Sequence, residues 1–354
     1  MTLKKAVEIN HRDTETQRIK GKWNKCASRR GHPVDEDFRT QNQGLHSFFP
    51  PLCLGASVVQ SNMKSGFCVL WGRPNVGKST LLNALLGRKH VIVSHRPQTT
   101  RHRITGVLND PDEAYQIVFL DTPGIHAPQH KLGEALVKSA KGALQDIECL
   151  IFVGDATDVP HDDDLRAIQL LQRADAPVLL ALNKIDATSE THREEFEKLR
   201  AFDATFEISA QRGDGLEELK RAIIAKMPEG EAYFPPDMLG DRPPEFHLSE
   251  LIREQTLLQL REEVPHAVAV TIEQMEPRPR GVLYVEAFII VERSGQKQIV
   301  IGEGASRLKE IGSKARVEME GFLGRKVFLD LRVKVRDKWR ESDSWIRRLG
   351  YQES

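Results

Sequence analysis

Four cysteines in 354 residues, Cys26, Cys53, Cys68 and Cys149, include no C-x-x-C pair. Neither a disulfide framework nor a thiolate zinc site is indicated, and the usage fits a reducing, cytoplasmic setting. Net charge is absent as well, because 51 Lys plus Arg balance 51 Asp plus Glu. No global basic field announces a nucleic-acid partner, so any such surface is local. Long apolar runs are also missing. The longest are about a strand in length, well short of the roughly 18–20 residues that cross a bilayer. The run 48–59 is broken by Pro50 and Pro51 and begins too far along the chain to serve as a signal peptide. What remains is a length that corresponds to about two domains and 40% hydrophobic residues, enough for two ordinary cores. A fibrous or disordered chain is excluded.

Residues 1–62 mix charged and amide side chains with few periodic apolar positions, and fit a poorly ordered extension better than a domain. An organellar transit peptide is disfavoured by Glu8, Asp13, Glu15, Asp35, Glu36 and Asp37, since such peptides are poor in acids. Met63, just before the first clear strand, offers the other reading, a misassigned start. From Phe67 to Trp71 an apolar run leads into a Gly-rich turn and a helical pattern at Leu81, Leu82 and Leu85. Similar runs at Ile117–Leu120, Leu150–Val153 and Val178–Leu182, with helical patterns between them, predict an α/β domain over 63–228 built on a parallel sheet covered on both faces. Five prolines, Pro228, Pro235, Pro236, Pro243 and Pro244, with Gly230 and Gly240, mark a linker assigned to 229–247. Beyond it, 248–354 reads as a small α+β domain: a helix over Leu248–Glu263, strands at Ala267–Ile272 and Leu283–Val291, a helix over Ser306–Phe322, and the alternating strand Val327–Val335.

Gly72-Arg-Pro-Asn-Val-Gly77-Lys78-Ser79 matches G-x-x-x-x-G-K-[ST] between a strand and a helix, where backbone N–H groups cradle phosphates. Lys78 supplies positive charge at the β/γ phosphates, and Ser79 offers a hydroxyl to Mg²⁺. Gly72, Asn75, Val76, Gly77 and Thr80 complete the phosphate loop. Asp121-Thr122-Pro123-Gly124 closes the second apolar run, placing Asp121 toward Mg²⁺ and leaving Gly124 free to turn toward a γ-phosphate. Asn183-Lys184-Ile185-Asp186 closes the fourth. An aspartate there accepts both N–H donors of guanine, which adenine lacks, and such a site rejects the mismatched base strongly. Ser209-Ala210 is placed to meet guanine O6 through backbone N–H groups. In the polar segment His95–Arg103, Thr100 is preferred over Thr99 as a residue completing the Mg²⁺ shell only while a γ-phosphate is present. Four elements in this order predict a GTPase with Lys78, Thr100, Asp121 and Gly124 as its catalytic set, and Ser79, Thr100 and Asp121 around the metal. Ile125 stands where Ras-like GTPases place a water-orienting glutamine, so slow intrinsic hydrolysis is expected.

The segments Gly72–Thr80, Pro97-Gln-Thr-Thr-Arg-His-Arg103, Asp121–Gly124, Asp241-Arg-Pro243 and Ile252-Arg-Glu254 resemble the Era family of bacterial ribosome-associated GTPases. The resemblance spans about Lys64 to Val335. It implies GTP and GDP as ligands and a C-terminal KH domain, here of type II, that binds the 3′ end of 16S rRNA. It also implies a role in small-subunit assembly, a monomer, and peripheral association with the inner membrane. Asn75 matches an asparagine that helps hold K⁺ in related K⁺-dependent GTPases; it is equally a good turn residue.

Within 248–354, Gly302 and Gly304 sit in Val300-Ile-Gly-Glu-Gly-Ala305, read as a strand-to-helix loop of the kind that clamps nucleic-acid backbone, with Arg307 just beyond. Ala305 replaces the family's last glycine and Glu303 adds a carboxylate; Ala305 is read as beginning the helix. From Arg325 to Ser354 nine positive residues face five negative, a balance of +4. With Trp339, Trp345 and Tyr351 interleaved, Lys334, Arg336, Trp339 and Arg340 head a candidate single-strand platform of aromatic faces and cations, against the alternative of a C-terminal helix packing its Trp residues inward. The other functional readings are a nucleotide-regulated binding protein with a disabled RNA loop, and a GTPase acting on another RNA.

Overall fold

The computed structural model describes residues 63–351 apart from 97–98, 129, 174, 236–237, 239 and 261–263. The expectations for 1–62 lie outside the described residues.

The first domain follows the order β1 (Met63–Trp71), α1 (Lys78–Leu85), β2 (Ile104–Asp110), β3 (Tyr115–Asp121), α2 (Lys131–Gly142), β4 (Cys149–Asp155), α3 (Asp162–Leu170), β5 (Val178–Asn183), α4 (Arg193–Glu197), β6 (Ala204–Ile208), α5 (Leu216–Lys226) and β7 (Glu229–Gly230). Its sheet runs β2-β3-β1-β4-β5-β6, with β7 paired to the start of β1. The central strands are parallel, but β2 and β7 run antiparallel to their neighbours, so the expected all-parallel sheet is a mixed one. Alternation along β1 explains the layers. Cys68 and Leu70 face the core formed with Leu81, Leu82 and Leu85 of α1 and Leu219 and Ile223 of α5. Val69 and Trp71 face the other, with Ala140 of α2, Ala167 and Ile168 of α3 and Phe196 of α4. Cys68 and Cys149 are buried free thiols on adjacent strands.

The second domain comprises α6 (Pro244–Gln259), β8 (Ala269–Pro277), β9 (Leu283–Val291), α7 (Ser294–Ile301), α8 (Ser306–Leu323), β10 (Val327–Val335) and the short α9 (Asp343–Arg348). Its sheet is ordered β10-β9-β8, with β9 parallel to β10 and antiparallel to β8. One face carries the core of Leu248 and Ile252 of α6, Val285, Ala287 and Ile289 of β9, and Ile311, Ala315 and Met319 of α8. The sequence reading missed α7, and Gly302–Ala305 therefore joins two helices rather than a strand and a helix. The expected helix at 248 starts earlier, because Pro244 occupies the first turn, where its missing N–H costs nothing.

The connecting segment is tied down. The Gln116 carboxamide accepts from the N–H groups of Tyr233 (2.8 Å) and Phe234 (2.9 Å) and donates to the Phe234 carbonyl (2.8 Å). Ser65 Oγ donates to the Glu231 carbonyl (2.7 Å), and Arg242 donates to the Arg103 carbonyl (2.9 Å).

The domains also meet directly. Leu132 and Leu136 of α2, both fully buried, pack with Ala269, Ile290, Trp339, Ile346 and Tyr351 of the second domain. Burying each leucine contributes about 1.5–3 kcal/mol. The Lys131–Asp343 ion pair beside them (2.8 Å) is exposed and screened by solvent, so apolar burial dominates this contact.

Candidate nucleotide site and RNA interface

The carboxyl ends of β1, β3, β4 and β5 surround a cleft of about 400 Å³ lined by Asn75, Gly77, Lys78, Ser79, Thr80, Thr100, Gly124, Lys184, Asp186 and Ala210, among others. Gly77 adopts φ 101° as the residue before α1, and a Cβ there would collide with the Asn183 amide. The chain thus turns sharply enough to point the first N–H groups of α1 into the cleft. Gly124 passes so close to Pro74 that a Cβ would lie 2.7 Å from its Cα. Lys78 Nζ donates to the Gly72 (3.0 Å) and Arg73 (2.8 Å) carbonyls. Burial lowers its pKa to about 8, partly opposed by Asp121 and Asp164. Phosphate oxygens reaching this ammonium would restore its preference for the charged form.

Three oxygens converge beside it. Ser79 Oγ lies 2.8 Å from Thr100 Oγ1 and donates to Asp121 Oδ2 (2.7 Å), and Thr100 Oγ1 lies 3.3 Å from the same carboxylate oxygen. Burial raises the Asp121 pKa, opposed by Lys78 and the two hydroxyls, and its Oδ1 is buried without a hydrogen-bond partner. A hard, all-oxygen set with an unpartnered buried carboxylate oxygen fits Mg²⁺. Thr99 Oγ1 is instead bonded to Ser94 Oγ (2.7 Å) and the Arg96 carbonyl (2.6 Å), so the structure brings Thr100, not Thr99, to the cluster.

At the other end, Ser209 Oγ donates to Asp186 Oδ1 (2.6 Å) and holds that carboxylate below its ordinary pKa. Lys184, at φ 73°, pairs with Asp155 (2.5 Å). Although burial alone would raise the Asp155 pKa, hydrogen bonds from Lys184 and Thr157 lower it. One expectation needs correction: the N–H groups of Ser209 and Ala210 are not free for guanine O6. They donate to the Asp214 carbonyl (3.0 Å) and to Asn183 Oδ1 (2.9 Å). Gly72, Val76, Thr122 and Pro123 are not among the cleft-lining residues. The Gly72 carbonyl accepts from Lys78, Val76 is in the core, and Thr122 Oγ1 donates to the Leu70 carbonyl (2.8 Å).

The RNA candidates fare unevenly. Gly302 (φ 73°) and Gly304 (φ 56°) shape the α7–α8 connection, and Arg307 donates to the Ile299 carbonyl. Ala305 does not begin the helix comfortably, for it precedes α8 at φ 62°, a left-handed conformation that penalises a Cβ. Trp339 is no stacking platform. It is fully buried at the domain contact, with Nε1 donating to the Ala267 carbonyl (2.9 Å), so the inward-packing alternative holds for it. Arg340 is paired with Glu292 (2.6 Å), Lys334 lies over the Phe288 ring, and Arg336 is exposed beside Trp345. Sequence reasoning also missed Arg253, whose guanidinium is held by Glu250 and donates to the Thr99 carbonyl. Its only signal was a position inside a quoted family segment.

A phosphate loop, an aspartate-serine-threonine cluster and an Asn-Lys-x-Asp base site on a mixed α/β sheet, followed by the second domain's α-β-β-α-α-β fold, define a P-loop GTPase joined to a KH domain. A family described as 50S ribosome-binding GTPase matches residues 67–184, and the KH domain family matches residues 263–340. GTPase Era of Thermotoga maritima is 46% identical over 287 residues, 80% of this chain and 95% of that protein. GTPase Era of Heliobacterium modesticaldum is 43% identical over 295 residues, 82% and 98% of the two. Among solved structures, Aquifex aeolicus Era bound to GDP.AlF4− aligns with a TM-score of 0.79 at 40% identity, covering 82% of this chain and all of that one. Era in complex with MgGDPNP and nucleotides 1506–1542 of 16S ribosomal RNA aligns with the same values. The chain belongs to the Era family of GTPases.

Proposed function

We propose that this GTPase binds the 3′ end of 16S rRNA through its KH domain under control of the bound nucleotide and assists small-subunit assembly. The observation that carries the nucleotide control is the adjacency of Thr100 and Arg101. Thr100 Oγ1 sits in the Ser79–Asp121 cluster, while Arg101 is buried against the KH domain, donating to the Val268 (2.6 Å) and His266 (3.1 Å) carbonyls. A γ-phosphate that orders Thr100 therefore acts on a segment already fastened to the RNA-binding domain. The RNA target is supported by the relative solved with nucleotides 1506–1542.

In hydrolysis the α1 N–H groups and Lys78 hold and orient the phosphates, and Asp186 selects guanine. Ser79, Thr100 and Asp121 would hold Mg²⁺, which would supply charge neutralisation to the phosphates. Ile125 supplies no polar group to the attacking water. The RNA backbone meets the Gly302–Gly304 loop, within which Glu303 is exposed.

The test is binding of the chain, loaded with a GTP analogue or GDP, to the 3′-terminal 16S strand and to a scrambled strand at one near-physiological salt. Selective binding that differs between nucleotides supports the proposal; weak, equal binding to both strands overturns it and favours the disabled-loop reading, whose physical basis is Ala305 at φ 62°.

Potassium dependence rests on Asn75, exposed in the cleft lining. Its φ of 65° suits asparagine without any ion, and hydrolysis in matched KCl and NaCl decides. Peripheral inner-membrane association comes from the family resemblance; no helix among the described residues is long and apolar enough to cross a membrane, and vesicle flotation tests it. A monomer is the expected state, checked by light scattering.

A further inference from the structure

The segment after β10 reaches back to the two residues that follow Thr100. After β10, Trp339 is buried with its indole anchored on the Ala267 carbonyl, and α9 turns Ile346 into the contact with Leu132 and Leu136 of α2. Gly350 then adopts φ 74° and delivers Tyr351, only 5% exposed. The Tyr351 ring lies 4.6 Å from the His102 ring and 6.2 Å from Trp339, centroid to centroid. The Arg101 guanidinium lies beside this pair of aromatic side chains, 5.8 Å from the Trp339 ring and 5.9 Å from the Tyr351 ring. His102 is closed from another side by Phe246, edge-on at 4.9 Å.

Thr100 thus precedes two residues, Arg101 and His102, against which Tyr351 packs. A buried guanidinium held by two carbonyls and two aromatic rings has one well-defined position, and the backbone of Thr100 inherits it. The Thr99 carbonyl, fixed by Arg253, pins the segment on its other side.

We infer that Tyr351 is a positioning residue for the nucleotide site: by packing on Arg101 and His102 it holds Thr100 where a γ-phosphate-bound metal can be met, and so favours GTP over GDP. The inference rests on the reading of Thr100 as a ligand used only in the GTP state. GDP, with no γ-phosphate, does not draw on Thr100 and is indifferent to Tyr351. Coupling of this kind is reciprocal, so GTP tightens the docking of the C-terminal segment by the same factor.

The experiment measures Mg²⁺-dependent affinities of the full chain for a fluorescent GTP analogue and for fluorescent GDP in Tyr351→Ala, Tyr351→Phe and Thr100→Ala. Tyr351→Ala is expected to weaken the analogue about tenfold and GDP less than about twofold, a factor ordinary for coupled sites. Tyr351→Phe, which keeps the ring and loses the hydroxyl that hydrogen-bonds Arg101, falls between Tyr351→Ala and the unmodified ratio. Equal losses for both nucleotides in Tyr351→Ala would mean a merely structural role and overturn the inference. If Thr100→Ala discriminates between the nucleotides and Tyr351→Ala does not, the inference fails while the reading of Thr100 stands. If Thr100→Ala does not discriminate, that reading fails and the inference with it.

Discussion

The side chain of Asn183 joins the phosphate loop to the base site: its Nδ2 donates to the Val76 carbonyl (2.9 Å), and its Oδ1 accepts from the Ala210 N–H (2.9 Å). It is 3% exposed, so truncation strands two buried backbone groups at about 1–3 kcal/mol each. Asn183→Ala is expected to weaken GTP and GDP alike by titration. Asp186→Asn leaves that bridge intact and removes the acceptor for guanine's two N–H donors. Guanine nucleotides should lose at least about a hundredfold while xanthine nucleotides gain, since a hydrogen-bonding site discriminates by its pairing pattern; unchanged base preference would contradict the assignment.

Ile125 is 2% exposed in the core containing Val69, Trp71 and Leu120, and its N–H donates to the Gly72 carbonyl (3.1 Å). Its side chain points into that core, so installing glutamine does not recreate a water-orienting group. Ile125→Gln should lower stability by about 1–3 kcal/mol through burial of an unpaired amide, with single-turnover hydrolysis no faster than the parent. An increase of about tenfold or more, the direction a correctly placed glutamine would give, would show that the side chain reaches the γ-phosphate.

Ala305, at φ 62° and ψ 22°, occupies a backbone region that glycine adopts without penalty. Ala305→Gly should stabilise the protein by about 1 kcal/mol and increase affinity for the 16S 3′ strand, because the loop loses a Cβ next to the backbone it clamps. Thermal melting and RNA titration read the two effects separately.

His247 lies 5.4 Å from His90 and 5.1 Å from Phe322, ring to ring, at the domain contact. Burial lowers its pKa to about 4; His90 and Arg242 push the same way, against Glu250 and Asp241. Burial lowers His90 as well and takes His102 to about 4. The unfolded chain, with histidine near 6.5, therefore binds protons that the folded chain refuses. Stability is full above about pH 6.5 and falls as pH drops toward 4. Denaturation midpoints measured from pH 7 to 5 should decline, and His247→Phe should make the decline shallower.

Much of the nucleotide site was legible because its residues come as short local patterns at strand ends: Gly77-Lys78-Ser79, Asp121, Asn183 and Asp186 each follow an apolar run. What escaped depends on contacts between distant positions. Nothing local says that Trp339 and Tyr351 close on Arg101 and His102, so the tail read as an RNA platform when much of it is a domain contact. The helix Ser294–Ile301 is short and contains Gly295, and its buried set is a single residue, Val300, which leaves no 3.6-residue stripe to detect. The antiparallel direction of β2 is invisible to apolar patterning, and Pro244 read as linker because proline opens helices as readily as it interrupts them.

The segment between the domains was read as a linker, yet Gln116, Ser65 and the β1–β7 pairing fasten its first half along the sheet, and Arg242 fastens its end to Arg103. A tether of some fifteen free residues would let the RNA-binding domain explore a sphere tens of ångströms wide, diluting one module with respect to the other. Held at its first half and at Arg242, the segment leaves less slack than such a tether. Under the proposed RNA binding, such fastening would let an RNA target be gauged by geometry as well as by sequence.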